Sequence, residues 1–199
     1  SVFLKTESWY IIAAEQAHMG SHLLAPTIFK GVKPGVTRAE FERAISEGRV
    51  PEVMRAYPAV PGELHHLPSG TVHALGAGVL IAEVQTPSDT TFRVYDWENE
   101  YGRTGRTLHV RESLECIDFG EPMPAARLFG GETSGRLATT EFYTIDEVRV
   151  PPGASLPLPT PLTLACAVLM VLEGSMAIHW PGGTTPLPLG ATVVIPAAL

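Results

Sequence analysis

Charged residues are scarce in this sequence of 199 residues, making up 18% of it, and acidic residues outnumber basic ones by 21 to 14. The formal net charge of −7 repels a phosphate backbone, so we do not expect a nucleic-acid partner. Cysteine is equally scarce, since only Cys116 and Cys166 are present and they lack the paired spacing of a zinc knuckle. We expect both to be reduced core thiols in a cytoplasmic protein.

Long hydrophobic runs are also missing, since no run approaches the roughly 18 apolar residues that a membrane helix needs. The apolar stretch 162–172 is short and bracketed by Pro161 and Gly174, so a buried strand fits it better. The sequence has neither an initiator methionine nor a signal peptide, and it opens and closes beside strand-like segments. We therefore expect that this sequence is a fragment, truncated at both ends, of a protein that is not embedded in a membrane.

Glycine and proline are abundant, with 19 and 18 residues. Low charge combined with many turn-forming residues favours short strands joined by tight turns, in a sandwich or barrel of the jelly-roll type. Residues 15–35 show no regular pattern. We predict strands at 9–14, 63–67, 71–75, 79–85, 91–97, 141–150, 162–172, 177–180 and 192–195.

One helix has clear boundary signals. Thr37 and Glu40 have the spacing of a capping box, Phe41 and Ala44 lie on one helical face, and Gly48 is placed to end the helix. Together they predict an amphipathic helix that begins after Thr37.

Weaker signals predict a second short helix from Pro51 to about residue 57 and a third at 110–117. The sequence Phe-Gly-Glu-Pro at 119–122 is typical of a boundary. We predict a catalytic β module at 1–119, with a helical insertion near 37–57, and a second β module at 120–199.

A weak internal repeat supports two related modules. Gly62 and Pro68 are separated by five residues, and so are Gly190 and Pro196. Each glycine would turn the chain into a strand, and each proline would end that strand.

The segment 61–96 contains the pattern Gly62-x5-Pro68-x-Gly70-x2-His73, which resembles the second conserved motif of the cupins. Glycine and proline set the strand ends, and the turn at Gly70 lets His73 point into the mouth of a barrel, where a neutral imidazole is a good metal ligand. Ala77 stands where the motif ends in asparagine, so that part of the resemblance fails.

Two longer segments resemble the class I mannose-6-phosphate isomerases, especially the short bacterial type. They are GTVHALGAGVLIAEVQTPSDTTFRVYDW at 70–97 and KTESWYII at 5–12. The resemblance extends through the capped helix to about Phe119 and continues more weakly to the end. It implies a double-stranded β-helix (cupin, or jelly-roll) fold in two modules. It also implies a cytoplasmic, zinc-dependent enzyme that interconverts mannose 6-phosphate and fructose 6-phosphate through an enediol-type intermediate.

The resemblance implies that Glu7 and His73 hold one divalent metal ion, with Zn²⁺ as the expected metal. It places the remaining ligands, a Gln-x-His pair, upstream of Ser1. The other histidines lack the context to replace that pair; they are His18, His22, His65, His66, His109 and His179. Without the resemblance, Glu7 reads as a surface carboxylate beside Lys5.

Arg93 matches the catalytic arginine of the family and is the best cation for stabilising a developing oxyanion, because a guanidinium always carries its charge. Its alternative role is a structural salt bridge to Asp89 or Asp96. With His73 and Glu7, it forms the centre of the predicted site.

Glu83 and Lys5 are the remaining catalytic candidates. Strand alternation places Glu83 and Gln85 on one face, where Glu83 could move a proton or bind sugar hydroxyls. Lys5 shares the face of Glu7 if the segment is extended, and its alternative role is a solvated lysine. For a substrate phosphate the candidates are Arg103, Arg106 and Lys30.

Three other functions remain open at this point: a non-catalytic cupin that binds a sugar-like ligand, another metal cupin such as a dioxygenase or an epimerase, and a structural β domain. The expected partner is a phosphorylated hexose, and the sequence does not predict an oligomeric state. The context of Arg93 favours the isomerase, and a structural domain would leave the clustering of His73, Glu83 and Arg93 unexplained.

Overall fold

The computed structural model describes residues 4–19, 21–97, 106–157 and 166–197, and these residues are mainly β with a small helical part, which confirms the predicted fold class. The strands are β1 (Glu7–Ala14), β2 (Ala17–Met19), β3 (His22–Leu24), β4 (Thr27–Val32), β5 (Met54–Pro58), β6 (Leu64–Leu67), β7 (His73–Leu75), β8 (Val79–Gln85), β9 (Ser134–Thr139), β10 (Thr144–Val148), β11 (Ala167–Met170), β12 (Met176–Trp180), β13 (Gly183–Leu187) and β14 (Thr192–Ile195). The helices are α1 (Arg38–Ser46), α2 (Val50–Val53) and α3 (Val110–Cys116). No helix in the described ranges has the length and apolarity needed to span a membrane.

The chain divides into two compact units, residues 1–149 and 150–199. The first unit contains the sheets β6-β1-β8 and β5-β4-β7 and the hairpins β2-β3 and β9-β10. The second contains the antiparallel pairs β11-β14 and β12-β13. The predicted boundary between modules at residues 119–120 stays a prediction.

The core of the first unit joins its two three-stranded sheets. Trp9 and Ile11 of β1 pack with Ile28 of β4 and Leu67 of β6, and both isoleucines are fully buried. Burying an apolar side chain of this size contributes roughly 1.5–3 kcal/mol. This packing sets the positions of β1 and β7, which carry the predicted site.

Helix α1 is confirmed with its predicted start. The Thr37 hydroxyl accepts a hydrogen bond from the Glu40 backbone N–H, and the Glu40 carboxylate accepts one from the Thr37 N–H. Phe41 and Ala44 face inward. The helix packs against a second buried cluster that contains Val32, Val50, Met54 and Leu114.

The predicted helix at 51–57 is wrong beyond Val53. Helix α2 ends there, and Met54–Pro58 forms strand β5 beside β4, with Ile28 opposite Tyr57. Exposure alternates along β5, so its period is two and not that of a helix. Pro51 does lie in the first turn of a helix, as predicted, but the helix has only four residues.

Two further predictions about strands are wrong. Residues 91–97 form no strand; instead the Arg93 carbonyl accepts a hydrogen bond from the backbone N–H of His109, the residue that precedes α3. Residues 15–35, which show no pattern in sequence, contain β2, β3 and β4. Strand β4 is not recognisable from the sequence because Lys30, which is only 1% exposed, interrupts its apolar pattern.

In the second half of the chain, β12 and β14 match the predicted strands and β10 lies inside one, whereas β9 and β13 were not predicted. Strand β11 covers part of the predicted 162–172, of which 162–165 lie outside the described residues, and Val168 is 55% exposed rather than buried. Cys116 and Cys166 are free thiols, but both are exposed, so the expectation of core thiols is wrong. Cys116 lies at the end of α3, on its exposed side.

The glycine–proline repeat corresponds to matching local structure. Gly62 and Gly190 have φ angles of 86° and 80°, and each precedes a strand. Strand β6 ends directly before Pro68, and β14 ends directly before Pro196. The two segments therefore use the same turn and the same strand end.

Candidate active site

A cavity of about 760 Å³ lies in the first unit and collects most of the predicted site residues. Lys5, Glu7, His73 and Arg93 all line it, and so does Arg106. These side chains come from distant parts of the sequence. The fold therefore brings the predicted metal ligands and the predicted cationic side chains into one cavity.

Glu7 begins β1 and is only 3% exposed. Its Oε1 lies 2.6 Å from the Lys5 Nζ, which supplies the opposite charge that a buried carboxylate requires. The reading of Glu7 as a surface carboxylate is therefore wrong, although its pairing with Lys5 is present. Lys5 is correspondingly an ion-paired residue, with a side chain 24% exposed, and not a freely solvated lysine.

His73 begins β7, and its ring is held from the side away from Glu7. Its Nδ1 lies 2.7 Å from the Thr71 carbonyl oxygen, an atom that can only accept, so Nδ1 carries a hydrogen. In the neutral imidazole, Nε2 then has a lone pair, and it lies 3.6 Å from the Glu7 Oε2. Gly70 makes the preceding turn possible, because it has a φ of 95° and a Cβ there would lie 2.7 Å from the Cys116 carbonyl oxygen.

The separation between Glu7 and His73 fits two ligands of one metal ion. Ligand atoms at roughly 2.0–2.2 Å from a tetrahedral zinc ion lie roughly 3–4 Å apart. An imidazole nitrogen and a carboxylate oxygen are both suitable zinc donors. Within the ranges that the structure describes, however, no group of three histidines, cysteines or acidic residues forms a complete metal site.

Trp9 is a central residue that the sequence analysis missed. Its Nε1 lies 3.2 Å from the Glu7 Oε2 and 3.1 Å from the Glu83 Oε2, and its ring meets the His73 ring edge-on at 5.0 Å. The signal was available, since Lys5, Glu7 and Trp9 alternate along an extended segment and so share one face.

Glu83 lies on β8 directly opposite Trp9, and Gln85 lies opposite Glu7. The predicted shared face of Glu83 and Gln85 therefore coincides with the face of β1 that carries Glu7. Glu83 is exposed and is not among the described residues that line the cavity, although Trp9 connects it to Glu7.

Arg93 is half-buried and anchored through its backbone, which exchanges hydrogen bonds with His109. Asp96 is ion-paired to Arg106 instead, and Arg93 forms no ion pair with any residue that the structure describes, Asp89 included. The salt-bridge alternative for Arg93 is therefore wrong.

Arg106 is the phosphate candidate that reaches the cavity. Its Nε donates to the Asp96 Oδ2 at 2.6 Å, and its Nη2 contacts the Asp96 Oδ1. Asp96 is 3% exposed, and its carboxylate raises the pKa of Arg106. Lys30 is unsuitable because it is buried away from the cavity and donates to the Met123 carbonyl at 2.7 Å, and Arg103 lies outside the described residues.

Comparison with known proteins connects this geometry to one family. No family model matches the chain. Mannose-6-phosphate isomerase of Streptococcus mutans is 32% identical over 146 residues, which are 71% of this chain and 43% of that protein. Mannose-6-phosphate isomerase ManA of Bacillus subtilis is 31% identical over 176 residues, which are 85% of this chain and 51% of that protein.

Solved structures of the same enzyme are similar in fold to this chain. The crystal structure of the mannose 6-phosphate isomerase from Bacillus subtilis superposes on 98% of this chain with a TM-score of 0.78 and 26% identity, and the match covers 59% of that structure. A mannose 6-phosphate isomerase bound with zinc and yttrium shares the fold, with a TM-score of 0.56 at 13% identity. The chain spans about half the length of the curated relatives that it matches. On these similarities, the chain belongs to the mannose-6-phosphate isomerase family.

Proposed function

We propose that this chain carries the active site of a metal-dependent aldose–ketose isomerase that interconverts mannose 6-phosphate and fructose 6-phosphate. The distance of 3.6 Å between the Glu7 Oε2 and the His73 Nε2 is the observation that best supports this proposal. Both atoms can donate a lone pair to a metal ion. When the His73 imidazole is neutral these two atoms repel each other, and a metal ion bound between them would replace that repulsion with attraction to both. The cavity that they line also holds cations suited to an anionic sugar.

Glu7 and His73 are the residues of this chain that would hold the metal, for which zinc is our choice because the donors are one nitrogen and one oxygen. When bound, a divalent ion supplies a Lewis acid for the sugar oxygens or a fixed point that positions them. The Gln-x-His ligands expected upstream of Ser1 belong to the same proposal.

The reaction moves a proton between C1 and C2 of the sugar, and negative charge develops on oxygen in the enediol-type intermediate. Arg93 lines the cavity and has no ion-pair partner among the described residues, and these observations support it as our candidate for stabilising that oxygen. Lys5, which lines the cavity, is the proposed group for binding hydroxyls or carrying the proton. Glu83, the other candidate from the sequence, does not line the cavity as described, and we propose that it acts on the site by accepting the hydrogen bond from the Trp9 indole, which also contacts Glu7.

Arg106 is the proposed contact for the phosphate group. Asp96 holds its guanidinium from one side, and the Arg106 side chain is 48% exposed at the cavity. A guanidinium fixed in this way presents its remaining N–H groups in a fork that suits a phosphate. A phosphorylated sugar and two free thiols are consistent with our assignment to the cytoplasm.

The test is an isomerase assay on the full-length, zinc-loaded protein with Arg93→Ala and Arg93→Lys. Removing a donor that acts mainly on the transition state typically lowers kcat by about 10²–10³-fold, so we expect that loss in Arg93→Ala with an unchanged melting temperature. Lysine should restore activity poorly if the planar fork contacts two oxygens. Arg111→Ala is the matched control, because Arg111 is 83% exposed on α3.

Near-normal turnover in Arg93→Ala would remove Arg93 from the catalytic residues. Absence of mannose 6-phosphate isomerisation by the zinc-loaded wild type would overturn the isomerase assignment itself.

A further inference from the structure

The indole of Trp9 touches three of the proposed site residues at once. It is 6% exposed, and its single N–H lies between two carboxylate oxygens, 3.2 Å from the Glu7 Oε2 and 3.1 Å from the Glu83 Oε2. An indole nitrogen can only donate, so its hydrogen is shared between the two acceptors. No other contact among the described residues joins Glu7 to Glu83 through one atom.

Each oxygen of Glu7 has a different partner, and this fixes the carboxylate plane. Oε1 contacts the Lys5 Nζ at 2.6 Å, and Oε2 accepts from Trp9. Oε2 is also the oxygen that faces the His73 Nε2 at 3.6 Å. Rotation of the carboxylate would break both contacts, so the indole N–H helps to keep Oε2 directed at the imidazole.

The Trp9 ring also restricts His73. The two rings meet at an interplanar angle of 87° with centroids 5.0 Å apart. Together with the hydrogen bond from Nδ1 to the Thr71 carbonyl, this edge contact limits rotation of the imidazole. One side chain therefore orients both atoms proposed to meet the metal.

We propose that Trp9 is a positioning residue: its N–H directs Glu7 toward the metal and ties Glu83 to the same arrangement. This inference rests on the metal site proposed for Glu7 and His73. Partners that orient metal ligands typically change metal affinity or activity by about 10–100-fold when removed. The competing explanation is that Trp9 only fills the core, since its ring packs with Ile11 and Ile28.

Trp9→Phe separates the two explanations, because phenylalanine keeps an aromatic ring beside His73 and the core but lacks the N–H. We expect its zinc affinity, measured by competition with a chromogenic chelator, to fall about 10–100-fold. We also expect kcat at saturating zinc to fall while KM for mannose 6-phosphate changes little. Trp180→Phe is the matched control, because Trp180 is 50% exposed on β12 in the other unit. A Trp9→Phe protein with wild-type zinc affinity and kcat would overturn the proposal.

A second measurement follows the indole N–H of Trp9 directly. In the wild type, the indole N–H resonance that disappears in Trp9→Phe should shift when zinc is added. A resonance that stays in place while zinc binds would also overturn the proposal.

The outcomes distinguish this inference from the function on which it rests. Wild-type protein that binds zinc no better than Glu7→Gln would overturn the metal site and, with it, the role of Trp9. Zinc binding that requires Glu7, with zinc affinity and kcat both unchanged in Trp9→Phe, would overturn the role of Trp9 alone.

Discussion

At the scale of single residues, two buried ionisable side chains lie outside the proposed chemistry. Lys30 and His65 are each 1% exposed. The Lys30 ammonium donates a hydrogen bond to the Met123 carbonyl and lies over the Tyr57 ring. Neither ring nitrogen of His65 has a hydrogen-bond partner among the described residues. Burial, together with the nearby charge of Lys30, lowers the pKa of His65 to about 4. Lysine is rarely buried in proteins, so sequence reasoning had no basis for placing Lys30 inside.

His65 should make folding stability fall as the pH is lowered. Between its ordinary value of 6.5 and its folded pKa of about 4, the unfolded chain binds a proton that the native protein does not. That difference destabilises the native state progressively below pH 6.5. Between pH 7 and pH 5, protonation of His65 in the unfolded chain should lower the free energy of unfolding by about 1–2 kcal/mol.

The measurement is urea unfolding at pH 7 and pH 5 for the wild type and His65→Phe, in which this component of the pH dependence should vanish. His179→Phe serves as the control, because His179 is exposed. An identical pH dependence in wild type and His65→Phe would contradict the prediction.

At the scale of elements, the sequence predicts well those whose signals are local. Helix α1 has a capping box in sequence and in structure, and β8 was predicted with its observed bounds, Val79–Gln85. Strand β5 and the loop 91–97 were predicted wrongly because their conformation depends on distant partners. An apolar, β-branched run predicts a strand only if a neighbouring strand can pair with it.

Removing the cap of α1 should destabilise the protein moderately. In Thr37→Ala the Glu40 backbone N–H loses its acceptor, and the loss of such a cap typically costs about 1 kcal/mol. Urea unfolding at neutral pH should show this decrease in Thr37→Ala. Glu42→Ala on the exposed side of the same helix should change stability much less. Equal effects of the two substitutions would mean that the capping box contributes little to the folded state.

At the scale of the whole molecule, the acidic chain places several cations in one cavity. The net charge is −7, yet Lys5, Arg93 and Arg106 all line the cavity of the first unit. Family resemblance predicted Glu7, His73 and Arg93, and the alternation of an extended segment predicted Lys5; all four share that cavity. Neither argument predicted the Asp96–Arg106 ion pair, which joins residues on either side of 98–105, nor the part played by Trp9. Strand alternation does place Trp9 on the face of Glu7, but the partners of its N–H and the Asp96–Arg106 ion pair depend on side-chain direction, which local sequence patterns do not specify.

Zinc should stabilise the fold if it binds Glu7 and His73, because a ligand that binds only the native state adds its binding free energy to the free energy of unfolding. At 100 times its dissociation constant the gain is about 2.7 kcal/mol, which corresponds to a rise in Tm of about 5–10 °C for a cooperative unit of roughly 150–250 residues. Both residues belong to the unit of residues 1–149, so the shift should appear in the transition of that unit.

Calorimetry of the full-length protein with zinc and with a chelator measures the effect. Wild type should lose the gain when chelated, whereas Glu7→Gln with His73→Gln should melt at the same temperature in both conditions. A zinc-dependent rise in Tm that survives both substitutions would show that the metal binds elsewhere.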